Sequence, residues 1–163
     1  MEAPFKRGNV SEAIVLAHYL KAGFIVSTPF GVGAPYDLIV DTGSRLIKIQ
    51  VKTGWLRNGG VEYETRRSRK RWSRQAYAKD EVDYFVIYCR ELNTFYAVKA
   101  EGGVFGKLRV KPTGNNQKMN VRWASDCLFE KHIEELKMGR AGLEPATLRL
   151  KAECSTFELT AHS

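Results

Sequence analysis

The sequence predicts one α/β or α+β domain built on a mixed sheet, and three observations carry that reading. A run with helical apolar spacing, VSEAIVLAHYLKAGF, lies near the N-terminus. Two stretches rich in β-branched and aromatic residues, PYDLIVDTGSRLIKIQVKTG and VDYFVIYCRELNTFYAV, read as strand pairs. A second amphipathic run follows Ser125. Helices alternating with strand pairs bury their apolar faces best against a shared sheet. At 163 residues the chain is long enough for one core and short for two.

Taken in order, Asn9 followed three residues later by Glu12 has the form of a capping box, and Gly23 is a natural helix stop. Residues 24–27 read as a strand, and TPFGVGAP, with two prolines and two glycines, as a loop. The next stretch is a hairpin closed at Gly43-Ser44, because glycine at the first central position supplies the positive φ of a type II′ turn. That register faces Val40 with Ile47, Leu38 with Ile49 and Asp37 with Gln50, leaving Lys52 one diagonal step away. A turn one residue earlier sets Asp37 against Lys48 instead, but every side chain keeps its face.

GWLRNGGVEY reads as turn-rich, and the basic segment after it leads into a helix through Ala78. Residues 82–88 and 94–98 form a second hairpin, a short strand spans 108–110, and a helix starts at Ser125 with Leu128, Phe129, Ile133 and Leu136 on one side. The domain is expected to span 1–138, with 139–163 a weakly structured tail of little periodicity.

Composition excludes several classes. No apolar run approaches the ~20 residues of a membrane helix, and the N-terminus has no secretory pattern. Cys89, Cys127 and Cys154 show no CxxC spacing, and His18, His132 and His162 form no zinc pattern, which fits a reducing cytoplasm. The net charge of +8 suits an anionic partner or a solvated basic surface. Its distribution says more, since six of the nine residues from Arg66 to Arg74 (RRSRKRWSR) are basic, with Trp72 among them. Such a run attracts phosphates, and an indole stacks on a base; a flexible solvated loop is the plainer alternative.

Period two places Asp37, Gln50 and Lys52 on one face of the hairpin, away from the apolar face of Leu38, Val40, Ile47, Ile49 and Val51. A merely wet sheet face would give the same alternation. Against it, Ile39 and Leu46 share the polar face, and Asp37 opens its strand directly after a Gly-Pro loop, where a sheet end meets a ligand. Glu12, with Leu16 and Tyr19 further along its stripe, points the same helix face toward the sheet. Carboxylates with an amide and an ammonium are the parts of a magnesium-assisted phosphodiesterase: hard cations take oxygen ligands, and an amine beside them stabilises charge on the phosphate.

Pro35, then Asp37, then Gln50-Val51-Lys52 resembles the PD-(D/E)XK nuclease superfamily, over roughly 9–98. Gly8, Ser11-Glu12-Ala13, Leu16-Ala17, Pro29-Phe30-Gly31, PYDLIVD and IQVKT are most similar to its intron-encoded homing endonucleases. Two departures stand out: Tyr36 separates the proline from the aspartate, and Gln50 stands where the family usually has an acid. The resemblance implies a restriction-endonuclease-like core, a mixed central sheet flanked by helices. It further implies a catalytic set of Glu12, Asp37, Gln50 and Lys52, with Glu12, Asp37, Gln50 and the Val51 carbonyl on Mg²⁺ or another divalent cation.

Arg66, Arg67, Arg69, Lys70, Arg71, Trp72 and Arg74 would then contact double-stranded DNA, joined by Lys107, Arg109, Lys111, Lys118 and Arg122. A homo-oligomer, dimer or tetramer, working in the cytoplasm and on the nucleoid when bound to DNA, belongs to the same expectation. The alternatives are a Holliday-junction resolvase, a restriction-type nuclease, or a DNA-binding protein whose nuclease core has decayed.

Overall fold

The computed structural model describes residues 4–31, 33–69, 73–78, 80–101, 105–112 and 121–141. Helix α1 (Pro4–Lys21) leads into β1 (Ile25–Ser27), β2 (Leu38–Asp41), β3 (Leu46–Arg57) and β4 (Gly60–Glu64). A separate ribbon, β5 (Arg66–Arg69) and β6 (Ser73–Ala76), precedes β7 (Tyr84–Cys89), β8 (Thr94–Lys99), β9 (Phe105–Arg109) and helix α2 (Phe129–Ala141). The central sheet is mostly antiparallel, with β3 and β7 parallel, and it carries the two helices: a restriction-endonuclease-like α/β fold.

Hairpin β2–β3 has the register that a Gly43-Ser44 turn dictates, Leu38 opposite Ile49 and Val40 opposite Ile47, with Gly43 at φ 80°. Strand β3 is the spine. Its first four residues pair with β2, residues 49–54 with β7, and 55–57 with β4. Odd-numbered residues of its first half join Val15 and Tyr19 of α1 and Phe129 and Leu136 of α2 in one core. The opposite face is not left to water: Phe85, Ile87 and Cys89 of β7 meet Val61, Tyr63 and Leu108 there in a second core. The polar residues of β3 therefore sit at the margin of a buried layer, although Leu46, at 64% exposure, stays outside it.

Four sequence expectations are corrected. Helix α1 starts at Pro4, not Asn9, because proline fits a first helical turn where no amide hydrogen is needed; Asn9 and Glu12 are interior residues and form no capping box. Strand β3 runs on through Trp55 to Arg57 and turns at Asn58-Gly59, both at positive φ (46° and 71°), so the supposed turn region is a hairpin.

The helix expected after the basic segment is replaced by the β5–β6 ribbon. On a helix, its cations would stack at i, i+3 and i+4 and repel. In the ribbon Arg67 faces Gln75, Arg74 faces Ser68, and Arg69 faces Ser73, so no two cations oppose each other. Finally, the last helix begins at Phe129, after a 3-10 turn over Ala124–Cys127. The tail expected from 139 overlaps the end of α2, and 142–163 lie outside the described residues. No helix among the described residues is long and apolar enough to cross a membrane.

Candidate active site

Asp37 stands one residue before β2, where its backbone N–H still bonds the Ile49 carbonyl at 2.9 Å. Its side chain turns back onto β3: Oδ2 accepts the Val51 N–H at 2.8 Å and the Gln50 amide Nε2 at 2.5 Å. The same Nε2 reaches the Val51 carbonyl at 3.4 Å. Burial raises the Asp37 carboxyl above its ordinary range, and the Val51 N–H, Lys52 and Gln50 pull it back.

Glu12 lines a groove of about 450 Å³ together with Asn9, Tyr36 and Asp37. Burial raises its pKa, the Asp37 charge raises it further, and Lys52 lowers it. Glu12 thus feels the Asp37 charge, and both carboxylates feel one ammonium. Lys52 is the mirror case: burial lowers its pKa, while Asp37, Glu64 and Glu12 hold it up. Its Nζ donates to the Tyr77 hydroxyl at 2.9 Å and to the Arg66 carbonyl at 3.3 Å.

A clamp fixes the helix against the strand. Ser11, only 3% exposed, donates Oγ to the Arg7 carbonyl at 3.0 Å and meets Thr53 Oγ1 at 3.2 Å. With the Ser11 hydrogen committed to Arg7, Thr53 is the donor in that pair. The clamp joins the residues next to Glu12 and Lys52 in sequence, which sets the acid-bearing helix beside the amine-bearing strand.

The structure therefore brings Glu12, Asp37, Gln50, Val51 and Lys52 together. All possible cation donors here are oxygens, the set a hard divalent ion takes. Among the described residues, no group of three His, Cys, Asp or Glu side chains is placed to hold one metal ion. A cation between the two acids would need neutral oxygens, from the Val51 carbonyl and the Gln50 amide, to complete its shell. Gln50 presents its nitrogen to Asp37 and Val51, so its amide must turn over before its oxygen faces the same point.

The described basic residues belong to several different elements. Arg66 lies exposed at the ribbon root, next to the amine of Lys52. Arg67 is turned inward, with a side chain 19% exposed and bound to Glu81 at 3.0 Å. Arg69 and Arg74 are strand residues of the ribbon, while Lys70, Arg71, Trp72 and Lys118 lie outside the described residues. Lys107 and Arg109 belong to β9, at the other end of the strand order from β1, and Lys107 pairs with Glu62 at 2.9 Å. Lys111 is exposed, and Arg122 pairs with Glu101 at 3.4 Å.

Sequence reasoning misses Tyr77, Ser11 and Glu64. Tyr77 falls at the end of the expected helix, and Ser11 and Glu64 act through contacts that no local pattern encodes.

The model of the PD-(D/E)XK endonuclease family matches residues 4–130. Among solved structures, the bacterial homing endonuclease I-Ssp6803I superposes with a TM-score of 0.68 at 25% identity, covering 88% of this chain and 100% of its own. No curated protein matches.

Proposed function

The chain belongs to the PD-(D/E)XK endonuclease family, and from that premise we propose that it is a divalent-metal-dependent, site-specific double-strand DNA endonuclease of the homing type. The observation that carries this is the convergence of Glu12 and Asp37 from separate elements on one groove, within the electrostatic reach of Lys52. The likeness to a homing endonuclease over that chain's full length favours this role over a junction resolvase or a restriction enzyme. A dimer or tetramer acting on nucleoid DNA in the cytoplasm completes the proposal.

Asp37, Glu12, the Val51 carbonyl and, once turned, the Gln50 amide oxygen would hold Mg²⁺ or a similar cation. When bound, such a cation supplies positive charge against the scissile phosphate and lowers the pKa of water. The remaining work falls to the chain. The Val51 N–H, hydrogen-bonded to Asp37, fixes the orientation of that carboxylate. Lys52 has three ammonium hydrogens, and the Tyr77 hydroxyl and Arg66 carbonyl take two of them. The third is available to a nucleophilic water or a phosphoryl oxygen, where the charge stabilises the pentacovalent transition state.

The ribbon supplies the sequence-independent grip. A two-stranded ribbon fits a major groove, and its arginines can track the flanking phosphates.

Incubating supercoiled and linear duplex with the protein, with and without Mg²⁺, tests the reading, followed by run-off mapping on a random-sequence library. Metal-dependent cleavage at one long preferred site is expected, lost in Asp37→Ala and Lys52→Ala with duplex affinity retained. Binding without cleavage at any metal concentration would point instead to a decayed nuclease core, and a preference for branched DNA to a resolvase.

A further inference from the structure

Tyr77 has no place in the set of acids and amine, yet four contacts converge on it. Its hydroxyl accepts the Lys52 ammonium at 2.9 Å, and the same ammonium lies 5.0 Å from the ring centroid. The ring stands edge-on to Phe85 at 5.3 Å, and Phe85 is the β7 residue paired with Gln50. The Arg67 guanidinium lies 5.8 Å from the ring centroid and is held by Glu81 at 3.0 Å. The other Glu81 oxygen accepts the N–H of Ala78, the residue after Tyr77, at 2.6 Å. Tyr77 is thus fixed through its ring and through its own backbone, and it follows directly on β6.

Lys52 carries four rotatable bonds, and nothing on its own strand sets where the ammonium ends. The groups that do so, the Tyr77 hydroxyl and the Arg66 carbonyl, are the two ends of the basic ribbon. We propose that Tyr77 is the positioning residue of Lys52, holding the ammonium in line with the acid pair from the root of the ribbon; this rests on the nuclease reading of Lys52. Burial, and after it the Asp37 charge, pushes the Tyr77 phenol well above its ordinary pKa, so it stays a neutral acceptor and transfers no proton. Because the ribbon root makes both contacts, the ammonium is tied to the same element that the nuclease reading places on the duplex.

The test is Tyr77→Phe, which keeps the ring against Phe85 and Arg67 and removes only the hydroxyl. Single-turnover cleavage should fall by about tenfold to a hundredfold, the range of one hydrogen bond to a charged group, while the duplex Kd stays at its wild-type value and urea unfolding still shows one cooperative transition. Independently of activity, the Lys52 ammonium should give a ¹H–¹⁵N cross-peak in the free protein, assigned by its loss in Lys52→Met. That peak should broaden or vanish in Tyr77→Phe as proton exchange accelerates. An unchanged cross-peak, or an unchanged cleavage rate, overturns the positioning role. If the wild-type protein cuts nothing, the nuclease reading fails and the cross-peak still decides whether Tyr77 holds Lys52.

Discussion

Acidification should destabilise this protein through His132. The imidazole is 4% exposed on α2, with Nε2 3.0 Å from the Tyr19 hydroxyl and its ring 4.4 Å from that of Tyr84. Its Nδ1 has no hydrogen-bond partner among the described residues, so protonation would strand an N–H inside the core. Burial, and after it the Arg45 charge, lowers its pKa from 6.5 to about 4. The unfolded chain binds the proton first, so the contribution of neutral His132 is complete above 6.5 and is lost as pH falls toward 4. At ~1.4 kcal/mol per pH unit, that interval amounts to about 3 kcal/mol.

Glu12 and Asp37 work in the opposite direction. Their pKa values are raised in the fold, so they add stability as pH drops and partly mask the loss. A comparison of wild type with His132→Gln by urea unfolding at pH 7 and pH 4 removes that masking. The wild type should lose about 3 kcal/mol more than the variant over the interval. Parallel losses would mean that His132 does not titrate between folded and unfolded states as its surroundings require.

Other consequences are as direct. Gly54→Ala should cost about 1–3 kcal/mol in urea unfolding, because its Cβ would lie 2.6 Å from Ile87 and 2.7 Å from Val61, both fully buried β-branched side chains; a neutral result would mean that β3, β4 and β7 are packed less tightly there. Asp37→Asn should lower the Glu12 pKa in the metal-free protein, read by ¹³C-carboxyl titration, since Asp37 is what burial leaves to raise it; an unmoved Glu12 would separate the two acids. Gln50→Glu, which exchanges the amide on Asp37 for a second charge, should lower the Tm in EDTA and give a larger Mg²⁺-induced rise than the wild type shows. Equal Tm values in EDTA would refute the contact. Neutralising Arg66, Arg69 and Arg74 together should make the log Kd against log salt plot shallower by ~0.9 for each phosphate that the ribbon no longer neutralises, and an unchanged slope would take the ribbon out of the interface.

The hairpin that carries the site is legible because its signals are local. A glycine at the turn and a period of two fix the register and the faces, so Asp37, Gln50 and Lys52 fall on one surface from the residue pattern alone. The start of α1 is not legible, because Asn9 and Glu12 imitate a cap while the helix in fact opens at Pro4. That correction bears on function: Glu12 has no capping bond to make, and its carboxylate is left to face Asp37. Asn58-Gly59 carries a hairpin signal that a polar, glycine-rich context obscures. The ribbon is hidden because a basic run has no apolar periodicity to declare a strand; its strand form is set by pairing across the ribbon. Tyr77 is invisible for a related reason, since it matters only through contacts with Lys52 and Arg67, respectively 25 and ten positions earlier in the chain.

The charge balance of the site explains why its second acid comes from a helix. Gln50 lies directly across from Asp37 and donates to it, so a carboxylate at that position would repel a charge that burial already disfavours. Glu12 approaches from outside the sheet, lining the groove at the start of β2, and its repulsion with Asp37 is offset in part by Lys52. Two separated acids, a turnable amide and one tethered amine can stay folded without a cation and still offer it oxygen donors. The cost of holding like charges close is then met mainly by the clamp of Ser11 on Thr53 and by the packing of Val15 and Tyr19, which keep α1 on β3. Loosening α1 would let the acids part before the sheet itself was disturbed, which makes the helix-to-strand contact, more than any single ligand, the element on which the site's geometry depends.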